Sequence, residues 1–134
     1  MRLLTMLMAC VGVAFAQSNQ DTESNTSCVE RLQMPVYPPL ARVAWVSGSV
    51  VASVVVASDG TMHANVVGYP LLTATVDKAL HASTFRASCG AKTVKLLFDF
   101  TIDKGLDPAT DLQRVSFSYP NQFLISVPPA PFMP

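Results

Sequence analysis

The sequence has little charge and no cluster that would attract a charged partner. Nine of the 134 residues are Lys or Arg, nine are Asp or Glu, and neither kind forms a run. Nucleic-acid-binding domains carry a basic patch or stripe, so the absence of one argues against this class. The two histidines, His63 and His81, do not stand at metal-ligand spacing from a cysteine, and we therefore expect no metal and no cofactor.

The apolar run at the N-terminus is too short to cross a membrane. Residues 3–16 are 14 residues, which as a helix span roughly 21 Å against a hydrocarbon core of about 30 Å. Arg2 precedes the run, Ala14-Phe15-Ala16 ends it as a small-x-small site, and polar residues follow. This pattern predicts a cleavable signal peptide over residues 1–16 and a periplasmic protein, with secretion or a lipoprotein anchored at Cys10 as alternatives.

Cysteine is scarce, and its number after export is even. Cleavage would leave Cys28 and Cys89. In an oxidising compartment such a pair predicts a disulfide, with two free thiols as the alternative. The bridge would close a loop of about 60 residues, which the chain-entropy model values at roughly 4 kcal/mol.

The central part of the chain alternates between helical and strand patterns. A Pro-rich entry at 35–39 permits a short helix, Gly48 opens a β-branched strand, and Asp59-Gly60 predicts a type I′ hairpin turn into a second strand. A helix follows from Pro70, and helical spacing sets one apolar side of it, made of Leu72, Val76, Ala79, Leu80 and Ser83. Residues 92–103 read as the third strand, in which one face carries Val94, Leu96, Phe98, Phe100 and Ile102. The order helix–β–β–helix–β predicts an α+β fold, an antiparallel three-stranded sheet with helices packed on one face.

The segments on either side of this core differ from it in composition. Residues 17–33 are polar and predict a flexible leader before a domain over 34–104. Residues 105–134 predict a C-terminal β-like extension, with two short runs at 115–119 and 123–127 and a Pro-rich tail that must be extended.

Three motifs in the central part occur in a recognisable order. They are Pro-Val-Tyr-Pro-Pro-Leu-Ala-Arg at 35–42, Gly-Ser-Val leading to Asp-Gly at 48–60, and Pro-Leu-Leu at 70–72. Together they resemble the C-terminal domain of the TonB family, over a stretch from Pro35 to about Asp103. The chain departs from the family at Ser83-Thr84-Phe85, where the usual Trp is missing. We also expect neither the family's inner-membrane anchor nor its long Pro-rich spacer in this chain.

The resemblance implies a periplasmic protein–protein interaction domain that takes part in TonB-type transmembrane transport. Such domains bind extended peptides of outer-membrane transporters by adding them to a sheet edge. The third strand, 93–101, is the candidate edge, which the C-terminal hairpin could instead cover. Candidate peptide contacts are Lys95, Leu97 and Asp99 on this strand and Val36 and Tyr37 beside it, with a packing role as the alternative for Tyr37.

Two other functions remain open at this stage. Ser88 and Cys89 near His81 could suggest a nucleophile and a base, but a disulfide explains Cys89 better, and we expect no enzymatic activity. The remaining alternative is a structural module of the envelope that associates with itself, through an exposed edge or the Pro-rich tail, as a homodimer.

Overall fold

The computed structural model describes residues 25–90, 92–109 and 112–131. The predicted signal peptide and residues 17–24 of the leader lie outside these described residues. Within them, no helix combines the length and the apolar character that a membrane span requires.

The described chain combines two α-helices with a five-stranded and a two-stranded sheet, which confirms the α+β fold class. The helices are α1 (Pro39–Val43) and α2 (Pro70–His81). The strands are β1 (Val29–Arg31), β2 (Gly48–Val56), β3 (Met62–Val67), β4 (Thr84–Phe85), β5 (Thr93–Ile102), β6 (Arg114–Ser118) and β7 (Gln122–Val127).

Five of the strands form one sheet in the order β3-β2-β5-β7-β6. The three strands predicted for the core, β3, β2 and β5, pair antiparallel as expected. The C-terminal extension supplies the other two: β7 lies parallel to β5, and β6 pairs antiparallel with β7. The sheet is therefore mixed and two strands wider than the sequence predicted.

One side of this sheet, the helix face, packs under α2 and forms the core. Alternate side chains of β2 and β5 point into it and are fully or almost fully buried; they are Val50, Ala52, Val54, Val56, Val94, Leu96, Phe98 and Phe100. Helix α2 contributes Leu72, Val76, Ala79 and Leu80, as its periodicity predicted. The opposite side, the open face, carries Ser53, His63, Asn65, Lys95, Leu97 and Asp99.

The hairpin between β2 and β3 forms where Asp59-Gly60 predicted it, but with another turn. Five residues separate the strands, and Gly60 alone of the pair has a positive φ, at 88°. The Asp59 carboxylate accepts hydrogen bonds from the Thr61 hydroxyl at 2.6 Å and the Thr61 N–H at 3.0 Å. These bonds lower the pKa of Asp59 and favour a wider loop over the two-residue type I′ turn.

Within the predicted leader, Asn25–Cys28 forms a 3₁₀ helix and β1 follows it directly. Cys28 forms the predicted disulfide with Cys89, with 5.7 Å between the Cα atoms. Beside it β1 pairs with β4, and the Arg86 N–H donates to the Cys28 carbonyl at 2.8 Å. The cross-link and the added strand supply contacts that the polar composition did not reveal.

Candidate functional site

The C-terminal extension occupies the sheet edge that the sequence predicted as the binding site. Strand β7 runs along β5 from the pair Leu97–Gln122 to the pair Ile102–Val127. The turn before β7 adds two bonds: the Leu97 N–H donates to the Asn121 carbonyl at 3.0 Å, and the Asn121 amide donates to the Lys95 carbonyl at 2.9 Å. The sequence left open whether β5 is a free edge or is covered by the C-terminal hairpin, and in the structure the hairpin covers it.

Strand β7 belongs to the core and is not a loose cover. Phe123, Ile125 and Val127 are at least nine-tenths buried, and the Phe123 ring stacks on Phe98 with 5.3 Å between centroids. Detaching β7 from β5 would expose these three side chains to water, which costs about 1.5–3 kcal/mol of free energy for each side chain. The alternative that this hairpin reversibly blocks β5 therefore carries a high energetic cost.

The predicted contacts on β5 lie on the open face. Asp99 joins three strands there, since one carboxylate oxygen accepts from the Ser49 hydroxyl and the other from the Gln122 amide at 2.5 Å. Lys95 is exposed, and Leu97 is half-buried beside Val51 of β2.

Tyr37 lies on the other side of the sheet and packs in the core. Its ring meets Phe100 edge-to-face at 5.4 Å, and its hydroxyl donates to the Val46 carbonyl. Burial raises the pKa of this phenol, and 4% of the residue remains exposed. The predicted residues thus form no common site, because the sheet separates Tyr37 from Lys95, Leu97 and Asp99.

Val36 is exposed and lines a groove of about 350 Å³ next to α1. The Pro-rich tail lines this groove with Ala130 and Pro131. Beside the groove, the Arg42 guanidinium donates to the carbonyls of Pro128 at 2.7 Å and Pro129 at 2.9 Å. Across the groove the Gln113 side chain donates to the Pro35 carbonyl and accepts from the Tyr37 N–H. The segment around α1 is thus tied to the segments on either side of the C-terminal hairpin.

Strand β6 forms one of the two edges of the large sheet. All five of its residues are exposed, and among the described residues no strand pairs with its outer side. The pairs Val115–Ile125 and Phe117–Phe123 set Val115 and Phe117 on the helix face, whereas Ser116 and Ser118 lie on the open face. The edge therefore offers unpaired backbone N–H and C=O groups beside exposed apolar side chains.

An apolar groove adjoins this edge on the helix face. It measures about 320 Å³ and lies between β6–β7 and the segment that follows β1. Its lining consists of Val29, Glu30, Leu32, Met34, Leu96, Phe117 and Phe123. Sequence reasoning missed both the edge and the groove, because neither the β6–β7 pairing with β5 nor the path of the leader has a local signal.

Comparison with protein-family models, with curated proteins and with solved structures finds no match. The open edge of β6 and the apolar groove beside it are therefore the structural features that bear on the function of the chain.

Proposed function

We propose that this chain is an exported protein-binding module that adds an extended segment of a partner to the outer side of β6. The observation that carries the proposal is the free edge itself. Its five exposed residues include two apolar side chains, Val115 and Phe117. An extended segment laid along β6 would satisfy the unpaired backbone groups and cover these side chains, as in other cases of strand addition.

The edge at the other end of the sheet is less suited to this role. In β3 the side chains of Met62, Ala64 and Val66 already pack against the core, and His63 and Asn65 point to the open face. Of its apolar side chains Val67, at the end of the strand, is the exposed one. A segment added to β3 would therefore bury less apolar surface than one added to β6.

The resemblance to the TonB C-terminal domain supports a periplasmic location and an outer-membrane transporter as the partner. Extended transporter segments without regular secondary structure would add to this open edge as a further strand. The binding strand differs from the family's, however, because β7 occupies β5. In this proposal the module acts as an adaptor in TonB-type transport and not as a motor component.

A matched pair of lysine substitutions tests which edge binds. Val115→Lys and Val67→Lys each place a charge on a terminal strand, at side chains that are 42% and 60% exposed. The full chain and both variants are used to recover proteins from envelope extract, with N-terminal transporter peptides as competitors. We expect transporters in the eluates of the wild type and Val67→Lys, and at least tenfold less with Val115→Lys. Equal recovery by all three proteins would contradict binding at β6.

Self-association through β6 is the second candidate function. The alternation of apolar and polar side chains along β6 supports it more than it supports other structural roles. An antiparallel pair of β6 strands centred on Ser116 would set Val115 opposite Phe117 of the second copy without opposing two Arg114 side chains. Sedimentation velocity tests whether the chain forms this dimer. The protein concentration would range from about 10 µM to 1 mM, because small interfaces bind weakly. A dimer that Val115→Lys abolishes would support the structural module, and a monomer throughout would eliminate it.

A further inference from the structure

We propose that the apolar groove beside β6 is a specificity pocket, which selects partners that carry one aromatic or long aliphatic side chain at a fixed position of the added strand. This inference rests on the proposed function, because it assigns a ligand feature to the same site. It goes further in naming the anchor side chain and the protein residues that would recognise it.

The lining of the groove determines the chemistry of its occupant. Leu32 and Met34 form one wall, Phe117 and Phe123 form the other, and Leu96 closes the floor from the sheet. Glu30 is the charged member of the lining and is exposed. An apolar side chain would gain from burial here, a charged one would lose its hydration, and an acidic one would also be repelled by Glu30.

The position of Phe117 connects the groove to the edge. Its ring lies 4.9 Å from that of Phe123 within the groove, yet half of the residue is exposed on the outermost strand. Side chains directly opposite each other on paired strands project from the same face of a sheet, about 4.5–5.5 Å apart. A partner residue opposite or diagonal to Phe117 would therefore reach over it towards Leu32 and Met34.

The size of the groove favours a large side chain. A space of about 320 Å³ accommodates one aromatic ring or one long aliphatic side chain, and an alanine would leave most of it empty. Full burial of a large apolar side chain corresponds to about a 10- to 100-fold change in affinity. The second groove, at α1, lacks this connection to an open edge, since its lining comes from the segment before α1, from α1 itself, from Gln113 and from the end of β7 with the tail that follows.

The test selects binders from a random nonapeptide library displayed on phage, with the full chain as target. We expect the selected peptides to share Phe, Trp, Tyr, Leu or Met at one fixed position, and its replacement by Ala to weaken binding about 10- to 100-fold. Leu32→Trp fills the groove from one wall and should abolish this preference. Val43→Trp, which fills the groove at α1, is the matched control and should leave it unchanged.

The outcomes separate this inference from the proposed function. Peptides that lose affinity with Val115→Lys but show no fixed apolar position, or that bind Leu32→Trp as tightly as the wild type, would overturn the pocket and leave the edge intact. Peptides that are indifferent to Val115→Lys, or no binders at all, would overturn both. Should Leu32→Trp fail to fold, Leu32→Ala widens the groove, and the selected anchors should then shift towards Trp; an unchanged selection would contradict the pocket.

Discussion

Tyr37 fastens the segment that leads into α1 to the core of the domain. Its ring packs on Phe100, its hydroxyl donates to the Val46 carbonyl, and its backbone N–H donates to the Gln113 side chain. Each of these contacts is structural, and none leaves the ring free for a partner. These contacts and the 4% exposure of Tyr37 favour the packing role that the sequence left open for this residue.

Tyr37→Phe should lower the free energy of unfolding by about 1 kcal/mol at pH 7, the net value of one hydrogen bond, because the ring and its packing remain. Peptide affinity should not change. Urea unfolding and a binding titration on the same variant check both statements. A loss of affinity at unchanged stability would show instead that the hydroxyl contacts the partner.

The same residue predicts a pH dependence at the alkaline end. Burial raises the pKa of Tyr37 in the folded state, so the folded protein holds this proton more tightly than the unfolded chain does. The resulting stabilisation is complete below the unfolded pKa of about 10 and is lost as the pH rises through the folded value. Above about pH 10, wild-type stability should fall more steeply than that of Tyr37→Phe, in urea titrations at several pH values; parallel curves would contradict this.

Arg42 performs the corresponding task for the C-terminal tail. Proline carbonyls accept hydrogen bonds but prolines donate none, and the guanidinium supplies two donors at once to Pro128 and Pro129. We expect Arg42→Ala to cost about 2 kcal/mol of unfolding free energy, and Arg42→Lys about half as much, because an ammonium group cannot span both carbonyls. Lys78→Ala, at an exposed site on α2, is the control and should stay within about 0.5 kcal/mol of the wild type. Equal effects of Arg42→Ala and Lys78→Ala in urea unfolding would contradict this role.

At the scale of elements, local patterns in the sequence were sufficient for α2 and for the strands β2, β3 and β5, but not for β1 and β4. Alternation gave β2, β3 and β5 and the buried residues on each, and helical periodicity gave the buried side of α2. The pairing of β7 with β5 was not predictable in this way. The two strands are parallel, and their paired residues lie 25 positions apart in the chain. A period of two in the sequence predicts the face of the sheet on which a side chain lies, but it does not predict which strand lies beside it.

Because β7 pairs with β5, a proline substitution on β5 does not test peptide binding. Leu97→Pro would test binding if β5 were an edge, but the Leu97 N–H donates to the Asn121 carbonyl between two paired neighbours. A proline there disrupts the centre of the sheet, so loss of binding in that variant would report unfolding. Proline substitutions give an informative result on β6 instead.

Val115→Pro and Ser116→Pro form such a test of β6. Successive residues of a strand direct their N–H groups to opposite sides, so one variant removes a donor to β7 and the other removes a donor from the free edge. We expect one of them to lose about 2–3 kcal/mol of stability, and the other to keep most of its stability while losing peptide binding at least tenfold. Thermal unfolding identifies the variant that keeps its stability, and binding titrations measure the peptide affinity of both variants. If the stable variant binds as tightly as the wild type, the backbone of β6 is not the binding element.

At the scale of the whole molecule, the disulfide holds the segment from Val29 to Met34 on the domain, and this segment supplies one wall of the groove beside β6. Cys28 is buried and Cys89 lies 61 positions further along the chain. The chain-entropy model gives roughly 4 kcal/mol for a loop of this length. Replacing both cysteines with Ala should cost about 2–5 kcal/mol in urea unfolding, and thiol titration of the unreduced wild type should find no free thiol from this pair. Two reactive thiols in the native protein would refute the bridge.

The central claim, that an extended segment adds to β6, is tested most directly by residue-resolved amide hydrogen exchange. Exchange would be followed by NMR on the full chain, free and saturated with a selected peptide. We predict that the β6 amides that exchange quickly in the free protein become protected on binding, while those of β3 and of the inner strand β5 keep their rates. Protection confined to β3 or to α1, with β6 unchanged, would contradict the account.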